Sequence, residues 1–522
     1  MNAWGLERAG RGPWGPGLIG SWALSGLGGL LLTAAFPRTD WAWIAWVALV
    51  PLLLAVRGKS PGEAFQLGIV CGLIHYLGAL YWIAYVVGHY GGLPLIPAGA
   101  ILFLLCAYLA LYPAVFAVLA ARWCRRPLSW LVGLPAAWVA LEFLRTFAVT
   151  GFPWAVLGYS QTQSLTLMQS ADLWGVYGMS WLLVFANACI TAPGSGRQRL
   201  VGWLCLALCL GLTAGYGRQR LEQIRALEAK AEPWPVAVVQ GNIEQASKWD
   251  PEYLSATIER YRGLSEQAVA GDPRPRLLVW PETSMPFFYG LDPEPSAGLE
   301  QIIQSLGVPV LFGGPSATLV EGRLRPLNRA FLVDAAGRGG GNYAKRHLVP
   351  FGEYVPLAKL LFFVQRLVPA AGDFVPGTSS RPLILNGERV GVLICYEAVF
   401  PALARSSVEA GANVLVNLTN DAWFGDSSAP HQHLQMSRWR AVENRVPLVR
   451  AANTGISALI EPTGELVATL PLGMADRLNG TVHRIGVNSF YARHGDLFAW
   501  ICCLTAAVFV LFSAARQRSR GN

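Results

Sequence analysis

A multi-pass α-helical membrane domain joined to a soluble α/β sandwich is the architecture the sequence predicts, and three observations predict it. Hydrophobic residues make up 53% of the 522 and charged residues only 14%, with a mean hydropathy of +0.38, far from the mixture of a soluble globular protein. Apolar runs able to cross the hydrocarbon core, which takes about 20 residues in a helix, fill the N-terminal part and return near the end. Between them lies a stretch of ordinary soluble composition, Pro233 to Val487, large enough for a core of its own.

Eight apolar segments are candidates for spans: Leu18 to Phe36, Trp41 to Val56, Ala64 to Val87, Ile96 to Ala120, Leu128 to Phe147, Leu173 to Ala192, Leu200 to Tyr216 and Leu497 to Ala515. The first resembles a signal peptide by itself, but the apolar segments that follow make it a retained anchor. The chain therefore divides into a seven-helix membrane domain over 1–232, a soluble domain over 233–487, and a last span with its tail over 488–522. Lys and Arg in short loops mark the cytoplasmic side. Arg8 and Arg11 precede the first span, Arg57 and Lys59 follow the second, and Arg122, Arg125 and Arg126 follow the fourth. Arg197 and Arg199 follow the sixth, and Arg516, Arg518 and Arg520 the eighth, whereas the alternate short loops hold only Arg38. Both termini are expected in the cytoplasm and the soluble domain on the outer face, which is periplasmic in a cell with two membranes. The net charge of +9 is thus explained by topology; the basic residues form no continuous stripe for nucleic acid.

Eight of the nine cysteines lie in or beside the spans, and the soluble domain holds one, Cys395. A lone thiol in an oxidising compartment is either buried and inert or reactive.

Within the soluble domain, short apolar runs read as strands: Pro235 to Gln240, Leu277 to Trp280, Val308 to Gly313, Ala330 to Val333, Val390 to Ile394, Val414 to Leu418, Leu448 to Ala452 and Ala458 to Glu461. Helical segments such as Tyr253 to Ala268 and Leu403 to Ala410 flank them, and Asn386-Gly387 and Gly464-Glu465 read as hairpin turns. The chemistry-bearing motifs sit where strands end: Gln240-Gly241-Asn242, Trp280-Pro281-Glu282-Thr283, Cys395-Tyr396-Glu397, and Asn420 through Gly425. Such ends are held by a rigid sheet yet open to a crevice. Lys345 opens a separate basic run that leads into Pro350-Phe351-Gly352-Glu353.

A cysteine attacks as thiolate and needs a base or cation beside it. Glu282 can take the proton, and Lys345 can stabilise the thiolate and donate to a tetrahedral oxyanion. Glu353 and Glu397 can hold Lys345 charged or orient the first glutamate. Spacing alone does not bring these residues together.

The soluble domain resembles the nitrilase (carbon-nitrogen hydrolase) superfamily, and the whole chain resembles its apolipoprotein N-acyltransferase family. The matching segments are Val239 to Ile243 with Lys248-Trp249-Asp250, Trp280 to Thr283, Lys345 to Pro356, Ile394 to Glu397, Asn420 to Gly425 and His431 to Met436, with Leu141 to Arg145, Gly151 to Trp154 and Gly158 to Gln161 in the membrane part. The resemblance implies an α-β-β-α sandwich beside the membrane helices, with Glu282 as general base, Lys345 as stabiliser of intermediates and Cys395 as nucleophile, supported by Glu353, Tyr396, Glu397 and Trp249. It further implies an acyl donor among membrane phospholipids, phosphatidylethanolamine first, an acceptor in the S-diacylglyceryl cysteine of apolipoproteins, no cofactor, and a place in the bacterial inner membrane.

Other residues carry competing readings. His431 and His433 form a His-x-His pair, but no further ligand lies near in sequence, so no metal is expected. Trp423, Phe424 and Gly425 are either core residues or a wall that moves to admit acyl chains. Trp154 either anchors a helix end or lines a lipid entrance. Glu142 and Arg145, three apart on one helix face, are expected to neutralise each other. Two rival functions use the same features: a membrane-tethered amidase with water as acceptor, and a transporter or receptor whose outer domain only binds.

Overall fold

The computed structural model describes residues 17–245, 248, 250–355 and 373–521. It separates into two compact units, one of Met1–Arg218 with Asp496–Asn522, the other of Gln219–Gly495.

The first unit is helical. Among the described residues five helices are long and apolar enough to cross a membrane: Pro61–Leu80, Leu95–Trp123, Ala171–Ile190, Gly196–Glu228, which runs on into the second unit, and Leu497–Arg516. The other three of the eight expected segments are shorter or broken. Leu18–Ala34 has 17 residues; Trp41 to Val56 becomes a 3-10 turn, Ala42–Trp46, and a short helix, Val50–Ala55; Leu128 to Phe147 becomes a π turn, Ser129–Gly133, and a helix, Leu134–Arg145. Proline accounts for the breaks in part, since Pro51 and Pro135 each stand in the first turn of the following helix, where a missing N–H is harmless.

Breaks in a membrane helix leave backbone groups that must be satisfied within the protein. Asn187, fully buried on Ala171–Ile190, does this for the second segment: its Oδ1 accepts from Leu49 N (2.9 Å) and Val50 N (3.1 Å), and its Nδ2 donates to Ala45 O (3.0 Å). Ser180 accepts from Gly158 N (2.9 Å) and Glu142 from Leu157 N (2.8 Å), serving the non-helical chain after Arg145 in the same way. Small residues allow a close helix contact, where Cβ atoms on Gly68 and Gly72 would collide with Ala114 and Ala110.

Among the described residues the second unit contains twelve strands in two sheets. One has the order β12-β1-β2-β3-β4-β5, from β1 (Pro233–Gln240), β2 (Leu278–Val279), β3 (Val310–Val320), β4 (Arg323–Val333), β5 (Gly339–Ala344) and β12 (Asp476–His483). The other has the order β11-β10-β9-β8-β7-β6, from β6 (Leu383–Leu385), β7 (Glu388–Ile394), β8 (Val414–Thr419), β9 (Leu448–Ala452), β10 (Ser457–Ile460) and β11 (Leu466–Leu470). The alternation of strands such as β1 and β7 puts Val236, Val238, Val390 and Val392 into one core between the sheets. Helices Pro251–Val269 and Pro293–Leu306 pack on the outer face of the first sheet, and Pro401–Glu409 and Ala429–Asn444 on that of the second. This is the α-β-β-α sandwich.

β1, β2 and β3 run parallel, as do β7, β8 and β9, so the segments leaving them share the C-terminal edges of the sheets. Both expected turns are hairpins, Asn386-Gly387 between β6 and β7 and Gly464-Glu465 between β10 and β11. β5, β6, β11 and β12 are additional to the expected strands.

Candidate active site

Glu282 leaves β2 through a bend in which Thr283 has φ +50°. The neighbouring β3 lies so close that a Cβ on Gly313 would meet Thr283 N, Glu282 Cα and Pro281 O, so only glycine leaves room for this bend. The Glu282 carboxylate, 6% exposed, accepts from Asn420 N at Oε2 (3.0 Å) and from Asn328 Nδ2 at Oε1 (2.7 Å). Backbone from the second sheet thereby fixes a side chain from the first.

Lys345 follows β5 directly, its N–H bonded to Asn328 O (2.9 Å). Its ammonium, 1% exposed, lies between two carboxylates, 2.9 Å from Glu353 Oε1 and 3.4 Å from Glu282 Oε1. Burial alone would strip the proton from such a lysine; Glu353 and Glu282 outweigh it and raise the pKa above the ordinary lysine value. Glu353 reaches back because Val349 N donates to its other oxygen (2.7 Å).

Cys395 is the first residue after β7, where the strand turns into the 3-10 helix Cys395–Val399. Its φ of +50° is unusual for a residue with a side chain and forms a sharp elbow, as nucleophiles at strand-to-helix turns do. Burial pushes the thiol pKa up, Glu282 pushes it further, and Lys345 pulls it down; the sum is raised. The resting sulfur is therefore a thiol, and a base must take its proton during attack.

Glu397, fully buried, ties the lysine segment to the cysteine elbow: its oxygens accept from Ile394 N (2.7 Å), Arg346 N (2.7 Å), His347 N (3.2 Å) and the Tyr343 hydroxyl (2.9 Å). Of the two outer glutamates only Glu353 pairs with Lys345; Glu397 works through backbone N–H groups. Tyr396 is buried edge-on against Phe400, ring centroids 5.1 Å apart. Trp249 lies outside the described residues.

Two residues to which the sequence assigns no role join this cluster. Asn328, on β4, donates from one amide nitrogen to both Glu282 and Glu353 (2.7 and 2.9 Å), while its buried Oδ1 has no hydrogen-bond partner among the described residues. Lys248, 1% exposed, donates to the Glu282 carbonyl (3.3 Å), and burial lowers its pKa to about 8 against the pull of Glu282.

The remaining expectations fare differently. Trp423 and Phe424 are half-buried in the 3-10 turn Asp421–Phe424, and Gly425 ends it at φ +55°. In the membrane unit Trp154 is buried between Trp82 and Phe152, with centroids at 5.1 and 6.1 Å. Glu142 and Arg145 interact electrostatically but form no direct salt bridge: Glu142 bonds Leu157 N, and Arg145 bonds the Tyr76 hydroxyl and lies 5.4 Å over its ring. The irregular backbone and a tyrosine claim them first. His431 is exposed and His433 buried, since residues two apart on a helix point to different sides.

The family model described as apolipoprotein N-acyltransferase N-terminal domain matches residues 28–189, and the carbon-nitrogen hydrolase model matches residues 235–481. The chain is 45% identical over 498 residues to the apolipoprotein N-acyltransferase of Geobacter metallireducens, covering 94% of this chain and 95% of that one. Its counterpart in Methylococcus capsulatus is 35% identical, with 95% and 96% covered, and that of Azotobacter vinelandii 37%, with 87% and 88% covered.

Proposed function

The chain belongs to the apolipoprotein N-acyltransferase family, and from that premise we propose that Glu282, Lys345 and Cys395 carry its reaction. The enzyme is a membrane acyltransferase that moves an acyl chain from a phospholipid, through a cysteine thioester, to the α-amino group of the S-diacylglyceryl cysteine of an apolipoprotein. One observation carries the assignment of residues: a buried ammonium held between two carboxylates, within electrostatic reach of a cysteine at a strand-end elbow.

In the first half-reaction Glu282 takes the Cys395 proton as sulfur attacks the ester carbonyl, and Lys345 donates to the oxyanion that forms. Collapse breaks the ester C–O bond; Glu282 returns the proton to the leaving lysophospholipid, and the acyl group stays as a thioester. In the second, the free amine attacks the thioester carbonyl, Glu282 accepts its proton, and the C–S bond breaks to release the amide and restore the thiol. Glu353 keeps Lys345 charged, and Glu397 with Tyr396 shapes the elbow. Trp423, Phe424 and Gly425 form a wall beside it that moves to admit acyl chains.

The donor is phosphatidylethanolamine, and the chain crosses the inner membrane eight times with both termini cytoplasmic and the catalytic unit periplasmic; the distribution of Lys and Arg supports this orientation. A reporter active only outside the cytoplasm should work when fused near Gly271 and fail at the C-terminus, and the reverse pattern would overturn the topology. An amidase would use the same side chains with water as acceptor, but relatives matched over nearly the full length are named N-acyltransferases. A pure binding domain has no need of a buried ammonium between carboxylates. Cys395→Ser should abolish both acyl capture and lipoprotein acylation, because a serine hydroxyl is far less acidic; retained transfer would remove Cys395 from the mechanism.

A further inference from the structure

A second charged cluster, fully buried, lies behind the nucleophile. His433, on the helix Ala429–Asn444, has no exposed surface, and its Nε2 stands 3.1 Å from the carbonyl oxygen of Cys395. Its Nδ1 faces Arg450 Nη2 at 3.1 Å and Asp421 Oδ1 at 3.2 Å. Arg450 bonds Asp421 Oδ2 (2.6 Å), and Thr419 donates to Asp421 Oδ1 (2.9 Å). Gly455 makes room, since a Cβ there would collide with the Asp421 carboxylate.

A carbonyl oxygen only accepts, so Nε2 must carry a proton whether the ring is neutral or charged; the other neutral tautomer would set two acceptors face to face at 3.1 Å. The bonded carbonyl belongs to the peptide that joins Cys395 to Tyr396, immediately after the φ +50° elbow. Asn417 Nδ2 adds a longer contact to the same oxygen (3.5 Å). Holding that oxygen fixes the peptide plane, and with it the opposite-facing N–H of Tyr396 and the direction of the Cys395 side chain. A strained backbone persists only where its surroundings over-determine it.

We propose that His433, held by Asp421 and Arg450, is a positioning residue whose Nε2–H locks the Cys395 elbow in its reactive geometry. The inference rests on the reading of Cys395 as nucleophile. Substitution separates this role from simple packing, because glutamine places an amide N–H near the position of Nε2 and asparagine near that of Nδ1. Both lose the ring, and only glutamine keeps the donor to Cys395.

The test measures thioester formation by the full-length enzyme in phospholipid micelles containing phosphatidylethanolamine. His433→Asn should slow it by about 10²-fold, as misplacement of a reacting group does, with little change in KM, and His433→Gln should recover to within about tenfold of wild type. Equal rates in the two variants, or a wild-type rate in His433→Asn, would overturn the proposal. Should either variant not fold, ¹⁵N-histidine spectra of the wild type decide, with the His433 resonance assigned by its loss in whichever variant does fold or in His433→Phe. A proton on Nε2 is expected, and a neutral ring protonated only at Nδ1 would overturn the proposal. Absence of any thioester in wild type would instead remove the nucleophile assignment on which it rests.

Discussion

The two units bury polar side chains for different purposes. In the membrane unit Asn187, Ser180 and Glu142 each serve backbone groups that a broken helix leaves open. In the catalytic unit Glu282, Lys345, Glu353 and Asn328 chiefly serve one another, and charges meet at 2.9 to 3.4 Å. Burial of charge is costly in either setting. What differs is what offsets it: satisfied backbone in one unit, and in the other a set of polar groups that hold one another. Loss of a polar group should therefore show mainly as instability in the first unit and mainly as lost rate at the centre of the second.

Lys345→Met tests the rate side with the largest expected effect. The methionine stem fills the space without charge or donors, so thioester formation should fall about 10³-fold while the fold is retained. Unchanged turnover would eliminate Lys345 from the chemistry.

Asp421→Asn sharpens the comparison, because a buried charge that reaches the nucleophile only through His433 should cost stability as well as rate. Burial opposes the Asp421 charge, but Arg450 and His433 outweigh it and hold the pKa below the usual aspartate range. A depressed carboxylate contributes stability above its unfolded pKa, about 3.9, and loses it as pH falls through the folded value. The variant should be about 3 kcal/mol less stable at pH 7, and the gap should shrink as pH drops below about 4. Unfolding curves at both pH values check this, and a gap that widens in acid would refute the assignment.

Asn187→Leu should cost about 2 kcal/mol of stability through unsatisfied backbone and leave the rate per folded molecule unchanged. A selective loss of rate would break the division between the units. The smallest effect is expected for Asn328→Ser, which removes the bridge between two carboxylates but leaves Lys345 between them. It should lower kcat about tenfold, since both hydrogen bonds from the Asn328 amide are lost, and a larger drop than Lys345→Met would reverse their ranking.

Much of this was legible in the sequence because it lies in runs whose physics is local. β7, β8 and β9 are short apolar runs in sequence and buried parallel strands in the structure. β5 and β12 escape notice because Gly339–Ala344 and Asp476–His483 have no apolar period; pairing with β4 and β1 makes them strands. In the membrane unit composition marks each apolar segment, but the break before Pro51 depends on Asn187, far away in sequence. Glu282, Lys345 and Cys395 stand at motif positions, whereas Asn328 sits in an ordinary-looking strand. Only the antiparallel register that sets Arg329 opposite Ala344 brings it to Lys345.

The central claim is that one thiol first takes the acyl chain and then gives it to an amine. The most direct measurement gives wild-type enzyme phospholipid alone, then removes free phospholipid and adds a diacylglyceryl peptide. A hydroxylamine-sensitive acyl group should appear on the Cys395 peptide with an equal amount of lysophospholipid, and that group should discharge into an amide when the peptide arrives. If no acyl-enzyme forms and transfer requires both substrates together, the amine attacks the phospholipid directly and Cys395 is not the nucleophile.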